Sequence, residues 1–278
     1  LAAKSHQQLS PYSPTLKTMA TGPTSGSLIW EQKKKKAGIL EALADSDCGW
    51  FYRRDADTFK QIPGTPIAYW MPASLVGAFN EGRSIDVDSD YTGSPNITGD
   101  NGKYLRFHWE IAQSRKEGKW RTYSKGGEFR RWYGNLIHVV DWGNPARQFY
   151  CNNKTSTLLP EKYWYQGGIT YTMLTSGKAC FRYIQNGCIW DKSGPVICRL
   201  GNHFKTWLAF LNSHVAQQCL DALNPTMNLQ VKDVKSLPLL HECDEVEGSA
   251  LVDECVAISK SDWDSFETSW GFKRHPLV

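Results

Sequence analysis

The sequence predicts an α+β fold, strand-rich through its middle and helical at its ends. Three observations predict it. Short segments of loosely alternating apolar and polar residues cluster between Lys103 and Asp191. An apolar stripe at helical spacing follows: Trp207, Leu208, Leu211, Val215 and Leu220. Helix-start signals stand near both ends, Ser27 before Leu28 and Ser261 three residues before Asp264.

The elements follow in order. Residues 1–27, rich in Ser, Thr, Pro and Gly, read as linker. Ser27 can cap a helix running to about Ala44, with Lys33 to Lys36 as a solvated face. Trp50 to Arg54 reads as a strand, Pro63-Gly64-Thr65-Pro66 as a turn, and Ile67 to Met71 as a second short apolar run. Pro72 opens a helix to about Asn80, at a position where its missing N–H costs little. Residues 81–102 are polar, Gly-rich and acidic and read as a loop. Asp86, Asp88 and Asp90 lie in it without the Glu that a calcium loop requires, and read as solvated.

Strands are expected at Tyr104 to Trp109, Trp120 to Ser124, Leu136 to Trp142 and Ile169 to Leu174. Cys180 to Asp191 reads as a hairpin turning at Asn186-Gly187. Gly201 to Leu223 reads as one helix stopped by Asn224-Pro225, and Thr226 to Val231 as a short extended piece. The acidic stretch 241–258 reads as helical or disordered, and a last short helix starts at Ser261. On this reading the chain divides three ways: a linker and helix (1–48), a strand-rich domain (49–240) and an acidic helical C-terminal segment (241–278).

The apolar share of 41%, with 12 Trp, 12 Tyr and 11 Phe, is ample for a buried core. A net charge of +4 is too weak to argue for a nucleic-acid partner. Its distribution says more. Lys103 to Arg131 holds nine Lys or Arg against three Glu, a net +6; His241 to Trp270 holds nine Asp or Glu against Lys260, a net −8. The eight Cys include no Cys-x-x-Cys pair, and no secretory leader precedes them, so the thiols are expected reduced in a cytoplasmic protein. No apolar run reaches transmembrane length, so no membrane partner is expected. The chain opens at Leu1 and stops at Val278 without a tail, and reads as a piece of something larger.

Several chemistries are absent from the sequence. There is no Gly-x-Gly-x-x-Gly, no P-loop and no Asn-Pro-Pro-aromatic loop; Asn144-Pro145-Ala146 and Asn224-Pro225-Thr226 each lack the second Pro. The seven His are scattered, without His-x-x-x-His spacing, and with no Cys pair beside them no metal site is expected. Glu117-Gly118-Lys119, with Asp100 upstream, has the spacing of a metal-dependent nuclease, but the tripeptide is common and sits in a charged turn.

What is present is a basic, aromatic and Gly-rich run, Lys125 to Asn135. Lys125, Arg130 and Arg131 supply charge. Gly126 and Gly127 let backbone N–H groups approach an anion. Trp132 and Tyr133 offer flat faces for a sugar or base. The plain alternative makes Trp132 and Tyr133 core and the glycines a turn, and the residues alone leave both open. Asn228 and Gln230 alternate after the long helix; amides read adenine, and they also stabilise turns.

Lys125-Gly-Gly-Glu-Phe-Arg-Arg-Trp-Tyr-Gly-Asn135 resembles a segment of the large adenine-specific DNA methyltransferases of the BREX phage-exclusion system, the PglX family. Further segments match in the same order: Ile62-Pro-Gly-Thr-Pro-Ile-Ala-Tyr-Trp70, Leu211-Asn-Ser213, Asn224-Pro-Thr-Met-Asn-Leu-Gln-Val231, Leu237-Pro238, and Trp263-Asp-Ser-Phe-Glu-Thr-Ser-Trp270 with Phe272 and Arg274 to Leu277. The resemblance runs from about Trp50 to Val278. It leaves out Leu1 to Asp47 and is weak from Trp142 to Leu159, as expected of specificity loops that differ between members. It implies a C-terminal target-recognition region that grips double-stranded DNA while a flipped adenine is methylated elsewhere. S-adenosylmethionine and the Asn-Pro-Pro-Tyr loop would then belong to an upstream Rossmann-like domain outside this chain. No catalytic or cofactor-binding residue is therefore expected here. The DNA-contacting residues implied are Lys125, Gly126, Gly127, Arg130, Arg131, Trp132, Tyr133 and Asn135. Arg115, Lys119 and Arg121 join them on phosphates, and Asn228 and Gln230 as base readers. Other proteins of the exclusion system are implied partners, and a rival reading has the acidic tail dock one of them.

Overall fold

A computed structural model of the protein describes residues 8–9, 25–49, 51–93, 96–111, 118–175, 177–198, 200–240 and 249–277, with side chains from Lys34 onward. The fold is α+β, with strands concentrated between residues 91 and 198 and the longer helices toward the ends. The chain divides into two compact units, residues 1–76 and 77–278.

In the first unit β1 (Gln8–Leu9) pairs antiparallel with β2 (Phe51–Tyr52), so the expected linker contributes a strand. Helix α1 (Ser25–Ala44) starts before Ser27, which lies inside its first turn rather than capping it. Asp55 caps the short α2 (Ala56–Phe59) by accepting from the Asp57 N–H. Arg54 donates to the carbonyls of Tyr69 and Met71, at 3.2 and 3.4 Å. The apolar run Ile67 to Met71 forms turns, not a strand, and leaves Ile67 and Trp70 exposed. Helix α3 (Ala73–Glu81) follows Pro72 as expected.

The second unit holds two four-stranded sheets. One has the order β3 (Tyr91–Gly93), β10 (Val196–Cys198), β7 (Gly168–Tyr171), β8 (Phe181–Ile184), all antiparallel. The other has the order β4 (Leu105–Phe107), β6 (His138–Asp141), β5 (Trp120–Ser124), β9 (Ile189–Trp190), with β5 and β9 parallel. The supposed loop 81–102 therefore contains an edge strand, β3, and a helical turn, α4 (Ile85–Asp88), and runs into a second helical turn, α5 (Asn101–Tyr104). Asp88 is not solvated. It accepts from Arg83 Nε at 2.9 Å and from the buried Trp207 indole at 2.6 Å. Asp86 pairs with Lys235.

The expected hairpin at Asn186-Gly187 does not form. Its two strands, β8 and β9, belong to different sheets. The turn is held from outside, the Asn186 side-chain amide oxygen Oδ1 accepting from the Gly167 N–H and the Gly187 N–H donating to the Tyr165 carbonyl. The consequence is a shared strand end. Successive side chains of a strand point to opposite faces. Ile189 accordingly enters one core cluster, with Tyr123, Val140 and Tyr150, while Trp190 enters the other, with Tyr133, Leu136 and Trp263.

The long helix 201–223 is also broken. Helices α7 (Phe204–Leu211) and α8 (His214–Leu223) meet at Asn212-Ser213, and Val215 falls outside the buried stripe, 48% exposed. The cause is Asn212. Its amide, 6% exposed, bonds both backbone groups of Phe181 at 3.0 and 3.1 Å, as a neighbouring strand would. Ser213 then caps α8 by accepting from the Ala216 N–H. Asn144–Asn152, within the idiosyncratic stretch 142–159, forms helix α6, preceded by Gly143 and with Pro145 in its first turn. After α9 (Val231–Lys235), helix α10 (Ser249–Asp264) contains Ser261 near its end, so no separate helix starts there. Residues 241–248 of the acidic stretch lie outside the described residues. No helix among the described residues is long and apolar enough to cross a membrane.

Candidate nucleic-acid interface

The run Lys125 to Asn135 leaves β5 and returns to β6 as an ordered loop with unusual backbone. Gly126, Gly127, Trp132, Gly134 and Asn135 all have positive φ, between 61° and 127°. Trp132 at φ 69° is an uncommon conformation for a bulky residue. Two glycines are there because nothing else fits. A Cβ on Gly126 would lie 2.8 Å from the Ser193 carbonyl oxygen, and one on Gly134 would lie 2.8 Å from Arg130 Cδ and 3.2 Å from the Trp263 ring.

The loop is hung on the sheets by buried polar groups. Arg182 of β8, 1% exposed, donates to the Arg130 carbonyl (3.3 Å), the Thr172 hydroxyl (3.1 Å) and Cys180 Sγ (3.3 Å). Thr172 in turn donates to the Gly127 carbonyl at 3.2 Å. Asn135 closes the loop by donating to the Glu128 carbonyl at 2.7 Å. Trp132 exchanges backbone bonds with Phe181 and Tyr183. At the loop's start Lys125 reaches the buried Asp191, 3.4 Å away.

Its cations are partly committed within the chain. Arg130 donates to Asp262 of α10 at 2.7 Å, and its guanidinium lies 5.0 Å from the Trp263 ring centre and 5.9 Å from that of Phe266. Arg131 lies over the Phe129 ring at 5.6 Å. Tyr133 is core, and burial with Asp264 nearby pushes its phenol up to about 12. Further carboxylates of the acidic segment are likewise paired within the chain, though most stay exposed. Asp253 pairs with Lys205, and Asp264 takes both Lys260 and the Ser269 hydroxyl.

These contacts bring together two segments 130 residues apart that both carry the family resemblance. Between them lies a groove of about 360 Å³ lined by Lys125, Arg130, Asn135, His138, Trp263 and Thr268. His138 is half-buried. Burial lowers its pKa, Lys125 lowers it further, and Asp191 opposes them. The imidazole is therefore neutral at pH 7, and an NMR titration of its ring should show a midpoint below the ordinary 6.5. A midpoint at or above that value would mean the ring is not buried beside Lys125 as described.

The other expected contact residues divide. Asn228 is exposed, paired by its backbone with Leu174, on the strand-end segment that also holds the loop through Thr172. Gln230 is exposed at the start of α9, its N–H donating to Asp233. Lys119 and Arg121 lie at the opposite end of β5 from Lys125, roughly 13–20 Å away at about 3.3 Å per strand residue. Lys119 pairs there with Asp141 at 2.6 Å, and Arg121 lies 5.9 Å from the Tyr165 ring centre. They are not part of the groove. Arg115 and Glu117 lie outside the described residues. Sequence reasoning missed His138, Thr268 and Phe266, which only the meeting of the two segments brings to one place. Among the described residues no cluster of His, Cys, Asp or Glu could hold a metal ion.

No protein-family model matches the chain. Two curated proteins do. The chain is 31% identical over 271 residues to an adenine-specific methyltransferase PglX of Lacticaseibacillus casei (strain Zhang), covering 89% of this chain and 22% of that protein. It is 28% identical over 260 residues to an adenine-specific methyltransferase BrxX of Escherichia coli O9:H4 (strain HS), covering 89% of this chain and 20% of that protein. The chain thus spans about a fifth of the length of the curated relatives it matches. Over that span the chain matches the PglX family of adenine-specific methyltransferases, the family that the basic loop and the Trp263–Trp270 segment pointed to.

Proposed function

We propose that this chain is the double-stranded-DNA recognition region of a site-specific adenine-N6 DNA methyltransferase acting in phage defence. The observation that carries the reading is the groove itself. Two segments shared with the family converge there, presenting Lys125, Arg130, Asn135 and His138 on a rigid frame. Cations position a phosphate backbone, and amides and imidazoles read base edges. Backbone strain concentrated in the same loop supports a functional role, since unfavourable conformations persist where the surroundings over-determine them. Cofactor binding and methyl transfer are placed elsewhere in the full-length protein on the sequence alone, which carries neither a glycine-rich cofactor turn nor an Asn-Pro-Pro-aromatic loop. No step of the transfer is assigned to residues of this chain.

The test is a salt titration of the chain on random-sequence duplex DNA, wild type against Arg130→Ala/Arg131→Ala. Affinity should fall steeply with salt, and the double variant should lose about two phosphate contacts' worth of the slope. Absence of binding at low salt sinks the proposal. An unchanged slope with a lowered melting temperature would instead make Arg130 only the tether of α10, the role its Asp262 contact already shows.

A further inference from the structure

We propose that Phe107 and Trp109 form a stacking site for an unpaired nucleobase beside the groove, an assignment that rests on the DNA-recognition reading above. The two rings are 4.7 Å apart and 4° from parallel, yet 39% and 51% exposed. Phe107 also stacks on His138, at 5.1 Å. His138 lines the groove, so the rings form a continuous row leading out of it.

Phe107 is stacked between Trp109 and His138, so the ring the row offers to a base is the exposed Trp109 at its end, and hydrogen bonds around it hold the row in place. The Phe107 N–H donates to Glu110 at 2.7 Å, the His108 N–H donates to the Ile137 carbonyl at 3.0 Å, and the buried His108 ring meets the Thr268 carbonyl at 2.9 Å. A preorganised aromatic surface loses little entropy on binding.

The surroundings select the occupant. An apolar protein partner would want an apolar rim. Here the row runs into a mixed groove, with Lys125, Arg130 and Asn135 beside Glu128, Ile137 and Phe266, and with Lys125 close enough to His138 to lower its pKa. A flat apolar face at one end of a row of rings, with cations at the other end, is the pairing that a base and a nearby phosphate need. An enzyme acting on a base in duplex DNA must take it out of the stack, which creates unpaired bases at the site.

The experiment compares two probes by fluorescence anisotropy: a fully paired duplex, and the same duplex with one unpaired thymine. Wild type should prefer the second. Trp109→Ala should weaken binding to it by on the order of tenfold, leave the paired duplex unchanged, and be largely rescued by Trp109→Phe. Phe107→Leu should act in the same direction. Equal binding of both probes by wild type and Trp109→Ala overturns the stacking site while the DNA reading stands. So does an equal loss on both probes, which marks a structural role. Binding of neither probe by wild type overturns both.

Discussion

Asp191→Ala should destabilise the second unit by about 3–5 kcal/mol and loosen the basic loop at its root. Asp191 is 6% exposed and accepts from the Tyr123 hydroxyl at 2.9 Å, the Ser193 N–H at 2.8 Å, the Ser193 hydroxyl, and Lys125. Alanine leaves a buried phenol and a backbone N–H without an acceptor, each costing about 1–3 kcal/mol, and leaves Lys125 facing a site that has lost its counter-charge. Asp191→Asn keeps the shape and part of the acceptor set, and should cost clearly less. Urea denaturation of the two variants and wild type measures the difference. A change below about 1 kcal/mol in the alanine variant would mean the network contributes nothing net. Because the Asp191 N–H also donates to the Ser124 carbonyl, the last residue of β5, the same substitution should shift the loop's amide resonances while leaving those of α8 in place.

Gly168→Ala should be more severe, about 4 kcal/mol or more, and should prevent accumulation of folded protein. A Cβ at Gly168 would lie 2.0 Å from the Ile197 carbonyl oxygen and 3.0 Å from Cys198 Cα. Both obstacles are backbone of β10, and β7 is bonded to β10 on one side and β8 on the other. No flexible side chain can yield, so the sheet has to part. Gly177→Ala is the control: nothing lies within 4 Å of its Cβ, and its effect should stay within about 0.5 kcal/mol. Soluble yield and denaturation midpoint of the pair decide it. Equal midpoints would show that the close approach of the two strands is not as described.

Much of the fold was legible one element at a time. β5 falls where alternation put it, β4 and β6 lie within the expected segments, and β7 and α3 overlap theirs to within a residue or a few, because local periodicity and apolar runs report which parts of a segment are buried. β10 escaped notice because Val196, Ile197 and Cys198 are all buried, and a three-residue strand covered on both faces shows no alternation. The family resemblance was equally legible in strings of residues, and the two adenine-specific methyltransferases that match 89% of the chain bear out the family.

Pairing was not legible, because it depends on partners distant in the chain. Asn186-Gly187 has the residues of a hairpin turn, yet Gly167 and Tyr165 hold it open so that β8 and β9 enter different sheets. Asn212 sits inside a helical stripe and breaks it, because bonding Phe181 satisfies a strand edge that another helical turn would leave bare. Arg130 reads as a phosphate ligand from its neighbours, and only the fold supplies Asp262, Trp263 and Phe266 beside it. The sequence by itself determined the α+β class, the separation of basic and acidic segments and the family. The tertiary structure alone decided that those opposite charges meet, and that a groove with an aromatic rim lies between them, since a contact across 130 residues leaves no local trace in either partner.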